Sequence, residues 1–243
     1  MNTRMTPLVS MRWRDLLFAH YPIAPDRLRP RLPDEVSLDT FDGQAWLGVV
    51  ALTMTDVRPS VAPFGRTFPQ LNLRTYVTMD GDPGVYFLSM DADERLAVTV
   101  ARRTLGVPYY LADASVRRHG AEVTVESERV QAGEPDARFR ATYAPDGPLK
   151  PIADGSFEAF AIDRYRLYLP GRNAVYTATL DHDPWRLRTA TADVEAETLF
   201  SAAGVGRPSA APRLHVAPAY DATMRNPGRR PADVDPIDEP LRL

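Results

Sequence analysis

Residues 68–77, FPQLNLRTYV, contain the side chains best suited to hold a ligand. Alternate side chains of a β-strand point to opposite faces, so Gln70, Asn72, Arg74 and Tyr76 share one face of a strand predicted here. The four polar side chains give this face more hydrogen-bond donors and acceptors than a strand face needs when it only contacts water. If the sheet curls so that the face lies inside, Arg74 needs an anionic partner, which is either a protein carboxylate or the carboxylate of a ligand.

Several common kinds of catalytic chemistry have no basis in this sequence. The chain has no cysteine, which excludes disulfides, thiolate nucleophiles and cysteine-based metal sites. Its four histidines lack metal-ligand spacing, and there is no G-x-S-x-G elbow, phosphate-binding glycine loop or dinucleotide fingerprint. We therefore expect no metal ion and no cofactor. If the chemistry needs a general base, the candidates are His20, Asp91 and Glu94.

Composition and charge are those of an ordinary globular protein. The 243 residues are 44% hydrophobic and 25% charged, which is enough apolar material for a sizeable core.

A formal net charge of -3 argues against nucleic-acid binding, which usually needs a basic face. No apolar run approaches the roughly 18–20 residues that span a bilayer, and the N-terminus lacks the apolar region of a signal peptide. We expect a cytoplasmic protein with neither a nucleic-acid nor a membrane partner.

Alternating segments separated by turn signals predict many hairpin-linked strands. Asp42-Gly43 is one such signal, and helical spacing predicts one helix over residues 93–106 and another over 156–170. Residues 145–155 are predicted to form a loop.

Because strands do not alternate with helices, a doubly wound parallel sheet is excluded. We predict an α+β fold in which a large antiparallel sheet curls into a barrel or cone with two or three flanking helices. Residues 1–225 are expected to form a single domain, followed by a disordered tail over residues 226–243.

Seven motifs occur in the same order as in the YqjF-like family of domains of unknown function. They are RWRDLLFAHYPI, LDTFDGQAWLGVV, FPQLNLRTYV, GVYFLSMDAD, LGVPYYLADASV, DRYRLYL and HDPWRL. The sequence resembles this family from about Met11 to Ala219. The family is placed in the acetoacetate-decarboxylase-like superfamily, so the resemblance implies an antiparallel barrel or cone with a ligand chamber inside. It also favours a homo-oligomer, because decarboxylases of this fold assemble.

The decarboxylases of that superfamily bind a β-keto acid as a Schiff base on a lysine with a lowered pKa. The resemblance implies a lysine pair just before the LGVP turn, where this chain has Arg103 and Thr104, and a glutamate where it has Gln70. Lys150 is the only lysine of the chain, and it lies in the predicted loop. An arginine cannot form a Schiff base, so we do not expect a Schiff-base decarboxylase.

Three functions stay open at this stage. The leading hypothesis is a small-molecule-binding protein in which Arg74 and Arg103 hold a carboxylate- or carbonyl-bearing metabolite, oriented by Tyr76, Gln70 and Asn72. The first alternative is a lyase or isomerase that acts on a keto acid by enolate stabilisation. The second alternative is a non-catalytic structural protein whose polar face is satisfied internally.

Overall fold

A computed structural model of the protein describes residues 7–172, 174–208 and 210–231; for residues 195–197 and 226–231 it describes the backbone alone. The strands are β1 (Val9–Ile23), β2 (Ser37–Leu38), β3 (Ala45–Pro59), β4 (Arg66–Met79), β5 (Asp82–Ala92), β6 (Tyr109–His119), β7 (Glu122–Arg129), β8 (Arg138–Pro151), β9 (Arg166–Pro170), β10 (Ala174–His182), β11 (Arg186–Glu197), β12 (Arg213–Ala217) and β13 (Tyr220–Pro231). The helices are α1 (Pro25–Leu28), α2 (Arg95–Leu105), α3 (Phe157–Ala161) and α4 (Leu199–Ala202), and a 3₁₀ turn covers Arg29–Arg31.

The described strands form one 13-stranded sheet that closes on itself twice. One ring runs from β1 through β12, β11, β8, β7 and β6 to β5, and returns through β4 and β3. The other ring leaves β5 through β9, β10 and β13 and returns to β1. The large curled sheet with few helices confirms the predicted fold class. It is mixed rather than wholly antiparallel, because β5 pairs in parallel with both β6 and β9.

Strands β1, β3, β4 and β5 form a wall shared by the two rings, and both faces of this wall are buried. One face carries Phe18 and Val50 in a cluster rich in aromatic side chains. The other face carries Leu17, Val49 and Leu73, which pack with side chains of β7 and β8. Burial on both sides explains why β1 and β3 read as nearly continuous apolar runs instead of clean alternation.

Helix α2 lies within its predicted range and has the expected ends. The carboxylate of Glu94 accepts a hydrogen bond of 2.5 Å from the backbone N–H of Ala97, which caps the first turn. Gly106 ends the helix in the left-handed conformation, with φ of 70°. The chain then turns directly into β6.

The predicted helix over 156–170 is wrong in its second half. Ser156 caps α3 as predicted, but the helix ends at Ala161 and the chain becomes strand β9. Tyr168 in β9 is completely buried and packs where Gly84 of β5 has no side chain. Its hydroxyl donates to the carbonyl of Asp82 at 2.9 Å. Pairing with β5 therefore outweighs the local helical spacing.

Three further expectations differ from the structure. The predicted loop over 145–155 is a strand as far as Pro151, because β8 pairs with β11 there. The Asp42-Gly43 turn closes only an isolated bridge between Phe41 and Gln44, since β2 pairs with β4. Residues 226–231 of the predicted tail form the end of β13, and residues 232–243 lie outside the described residues.

Among the helices of the described chain, none combines the length and the apolar character needed to cross a bilayer.

Candidate functional site

The polar face of β4 points into the interior of the molecule. Asn72 and Tyr76 lie at 6% and 0% exposure, and Arg74 is half-buried. In the sheet, His20 of β1 is directly opposite Gly48 of β3, which is in turn opposite Arg74. These residues therefore form one row on the face that also carries Phe18 and Tyr76.

Gly48 makes room for the two most polar members of this face. A Cβ at this position would lie 2.7 Å from the Tyr76 hydroxyl and 3.3 Å from Nε of Arg74. Any larger residue would therefore push the phenol and the guanidinium apart. The glycine is required by space, since its backbone conformation does not need positive φ.

The guanidinium of Arg74 is held by one backbone contact and by aromatic rings. Its Nη2 donates to the carbonyl of Ala161, at the end of α3, at 3.1 Å. Its central carbon lies 5.7 Å from the Phe18 ring centroid and 6.0 Å from that of Tyr76, within cation–π range. Nε is buried and has no hydrogen-bond partner. Among the described residues, no carboxylate is within ion-pair distance of Arg74.

His20 is completely buried, and neither ring nitrogen has a hydrogen-bond partner. Burial lowers the pKa of His20 well below its ordinary value, and the neighbouring Arg74, His215 and Arg213 lower it further. The imidazole is therefore neutral at physiological pH, with one nitrogen able to donate and the other able to accept. Its ring centroid lies 6.1 Å from that of Tyr76.

Burial raises the pKa of Tyr76, against the opposing effect of Arg74, so the phenol stays protonated. Its hydroxyl lies beside the guanidinium of Arg74.

A second histidine connects the interior with the surface. The ring centroid of His215 on β12 lies 6.4 Å from that of His20, and its Nε2 lies 3.1 Å from a carboxylate oxygen of the partly exposed Glu158. Its Nδ1 is buried without a partner. Exposed Arg213, on the same strand, lies over the rings of Phe157 and Trp46 at 4.3 and 5.0 Å. These side chains form the solvent side of the cluster.

Seven residues on and around this face carry buried polar atoms without a hydrogen-bond partner, and we call this group the chamber: His20, Trp46, Asn72, Arg74, Tyr76, Arg164 and His215. Arg164 is anchored by Asp39 at 2.8 Å and by the carbonyl of Phe160 at 2.5 Å, and only its Nη1 is unpaired. In folded proteins buried polar groups are almost always paired, with the protein, with ordered water or with a ligand. The unpaired atoms of this cluster are therefore candidate contacts for ordered water or for a polar ligand.

The structure brings together four of the five predicted ligand-binding residues. Gln70, Asn72, Arg74 and Tyr76 follow each other along the inner face of β4, and Gln70 accepts a hydrogen bond of 2.9 Å from the hydroxyl of Tyr109. Arg103 is exposed on α2 and does not reach this face. The residue near the LGVP turn that enters the interior is Tyr109, immediately after it.

The remaining candidates from the sequence have structural roles. Asp91 forms a fully buried bidentate pair with Arg129, at 2.6 and 2.9 Å, and faces away from Arg74. Glu94 caps α2 and pairs with Arg66 at 2.8 Å. Lys150 is exposed on β8. Of the proposed bases, only His20 belongs to the chamber.

Sequence reasoning missed Arg164, Arg213, His215 and Trp46. Alternation within β12 could have placed Arg213 and His215 on one face, but nothing local indicates that β12 pairs with β1. In the part of the chain that the structure describes, no three metal-ligating side chains come together, and we assign no metal site.

Comparison with solved structures shows the fold. The enduracididine biosynthesis enzyme MppR complexed with pyruvate superposes with a TM-score of 0.64 at 12% identity, covering 94% of this chain and 92% of that chain. Acetoacetate decarboxylase from Legionella pneumophila gives a TM-score of 0.61 at 15% identity, covering 96% and 90%. An acetoacetate decarboxylase-like enzyme from Sphingomonas wittichii RW1 gives 0.62 at 12%, covering 93% and 94%. At these identities the similarity establishes the architecture alone.

Sequence comparison shows the family. The uncharacterized protein YqjF of Bacillus subtilis (strain 168) is 38% identical over 217 residues, which are 88% of this chain and 89% of that protein. The profile of DUF2071, described as an uncharacterized conserved protein, matches residues 10–221. The chain therefore belongs to the YqjF-like DUF2071 family, whose fold here is that of acetoacetate decarboxylase.

Proposed function

We propose that the chamber binds a small molecule bearing a carboxylate or carbonyl group, without a Schiff-base lysine. The single observation that carries the proposal is the half-buried guanidinium of Arg74, which lies beside the Tyr76 hydroxyl and has no carboxylate partner among the described residues. A carboxylate beside Nε of Arg74 would supply the missing anionic partner, and the protonated Tyr76 hydroxyl could donate to a neighbouring oxygen. The complex of MppR with pyruvate supports the choice of a small keto acid as the first ligand to test.

The absence of an interior amine favours non-covalent binding. Lys150 is exposed on the outer part of β8, and arginines cannot form an imine. An anion in the chamber would instead be held by hydrogen bonds and by the positive charges of Arg74, Arg164 and Arg213. Asp39 neutralises Arg164 and Glu158 contacts His215, which leaves Arg74 as the buried cation without a counterion among the described residues.

The first test measures the binding of pyruvate and acetoacetate by calorimetry and by ligand-observed NMR. We expect saturable binding that Arg74→Met weakens about 10- to 100-fold, because a hydrogen bond to a charged group contributes about 1.5–3 kcal/mol. Arg103→Met removes the same charge from an exposed site and is the matched control. Equal losses in the two variants would contradict binding in the chamber.

Borohydride treatment in the presence of acetoacetate tests the covalent route. We expect the intact mass to stay unchanged. A stable adduct located at Lys150 would show that the protein uses an imine after all.

A second candidate function is a lyase or isomerase that acts on a keto acid, and neutral His20 beside Arg74 favours it. An unprotonated nitrogen of His20 could remove a proton from the carbon next to the carbonyl. The electrons of the broken C–H bond would form the enolate double bond, and the negative charge on oxygen would be stabilised by Arg74 and Tyr76. Return of a proton to carbon would complete an exchange, while loss of a leaving group would complete an elimination.

Exchange of the pyruvate methyl protons with D2O distinguishes this candidate from binding alone. Catalysed exchange that His20→Leu abolishes, with pyruvate binding retained, would support it. Binding without exchange supports the binding protein. If neither ligand binds, the structural role that the sequence left open becomes the better account.

A further inference from the structure

A cleft lies outside the chamber, at a split in the sheet. Strand β5 pairs with β9 as far as Tyr86 and with β6 from Met90 onward. Residues 87–89 therefore have β4 on one side and, among the described pairings, no strand on the other. A cleft of about 440 Å³ opens at this gap, between the end of α2 and the turn from β9 to β10. Its volume falls within the range of about 300–1,000 Å³ that is usual for small-molecule sites.

Two glycines bring the borders of the cleft into close contact. A Cβ on Gly106, which has φ of 70°, would lie 3.0 Å from the backbone nitrogen of Arg172. A Cβ on Gly171 would lie 2.7 Å from the carbonyl oxygen of Leu105 and would collide with the ring of Tyr176. The end of α2 and the β9–β10 turn thus form one packed rim, which fixes the backbone that carries Arg172.

Positive charge predominates in the lining. Arg102 is paired with Glu134 at 2.7 Å, and its guanidinium also donates to the carbonyl of Tyr109 and lies 5.0 Å from the ring centroid of Tyr110. Arg31 is oriented by a hydrogen bond of 2.6 Å to the carbonyl of Gly204. Arg31 and Arg172 are exposed, and within the described part of the chain neither has a carboxylate partner, so both charges remain available to a ligand.

We infer that this cleft is a second binding site, for a small organic anion whose phosphate or carboxylate group is held by Arg31 and Arg172. Arginine presents a planar fork of N–H donors that matches both oxyanions. The half-buried ring of Tyr110 in the lining offers apolar surface to the rest of such a ligand. This site shares no residue with the chamber, so it does not depend on the function proposed above.

Phenyl phosphate and benzoate are suitable probes, because they share a ring and differ in the oxyanion. We expect at least one of them to bind saturably in calorimetry, with shifts of the backbone amide signals of Gly106 and Gly171. Arg172→Ala should weaken binding about tenfold or more, because it removes a charge-assisted contact. The two probes also show which oxyanion the site prefers.

Arg103→Ala is the matched control, since Arg103 lies on α2 close to the cleft but outside its lining. The inference requires that this variant binds the probe as the unaltered protein does. Equal weakening by Arg103→Ala and Arg172→Ala would show general electrostatic attraction. That result, or the absence of saturable binding by both probes, would overturn the inference.

Discussion

Neutral His20 should make the stability of the folded protein sensitive to acid. The pKa of His20 is lowered in the folded state, whereas in the unfolded chain it has its ordinary value of about 6.5. The unfolded chain therefore takes up the proton more readily, and the free energy of unfolding falls as pH drops below about 6.5. For one such group the loss is on the order of 1 kcal/mol for each pH unit below that value, until the folded-state pKa is reached.

The perturbation is His20→Leu, and the assay is urea denaturation between about pH 5.5 and pH 7.5, where the proton linkage predicts the difference. Leucine removes no hydrogen bond to the protein, because neither nitrogen of His20 has a partner. At the upper pH we expect a free energy of unfolding within about 1 kcal/mol of the original, or higher. Between the two pH values the variant should lose less stability than the original protein, by on the order of 1 kcal/mol.

The control is His119→Leu, which makes the same change at an exposed position. Comparison of the two variants separates the effect of removing a buried histidine from that of removing an exposed one. His182 and His215 also have lowered pKa values, so some acid sensitivity will persist in both variants. Identical pH dependence in His20→Leu and the original protein would refute the claim that His20 is buried as a neutral imidazole.

Two further substitutions test the packing of the chamber and the buried ion pair that faces away from it. Gly48→Ala should lower the free energy of unfolding by about 1–3 kcal/mol, because the added methyl group overpacks the space beside Tyr76. The variant should also bind pyruvate more weakly. Normal stability and normal pyruvate binding would show that the chamber does not depend on the space left by Gly48. Arg129→Met should cost about 3–5 kcal/mol in urea denaturation, because it leaves Asp91 buried without a partner. The control for Arg129→Met is Arg117→Met, which breaks an exposed pair with Glu126 and should change the free energy of unfolding little. Similar losses of stability in the two variants would contradict the claim that burial makes the Asp91–Arg129 pair costly to break.

The sequence allowed prediction of those parts of the site that lie within one strand. Alternation along β4 placed Gln70, Asn72, Arg74 and Tyr76 on one face, and the structure has them there. Alternation could not predict that His215 lies at the site, because His215 pairs with Phe18 and this pairing joins strands from opposite ends of the chain. Long-range pairing has no local signal.

The errors in the fold have the same origin. The apolar residues of 156–170 are spaced as in a helix. Residues 166–170 nevertheless form a strand, because they pair in parallel with β5, which is distant in sequence. Arg103 was expected in the chamber from a resemblance in the turn that follows it. The described structure instead leaves Arg103 exposed on α2 and brings Tyr109 to Gln70.

A crystal structure of the protein soaked with pyruvate is the most direct test of the central claim. The account predicts a pyruvate carboxylate within hydrogen-bond distance of Nε of Arg74, close to Tyr76 and His20, with no covalent bond to Lys150. Pyruvate bound only at other positions, or an Arg74 Nε that stays paired with ordered water at saturating pyruvate, would contradict it.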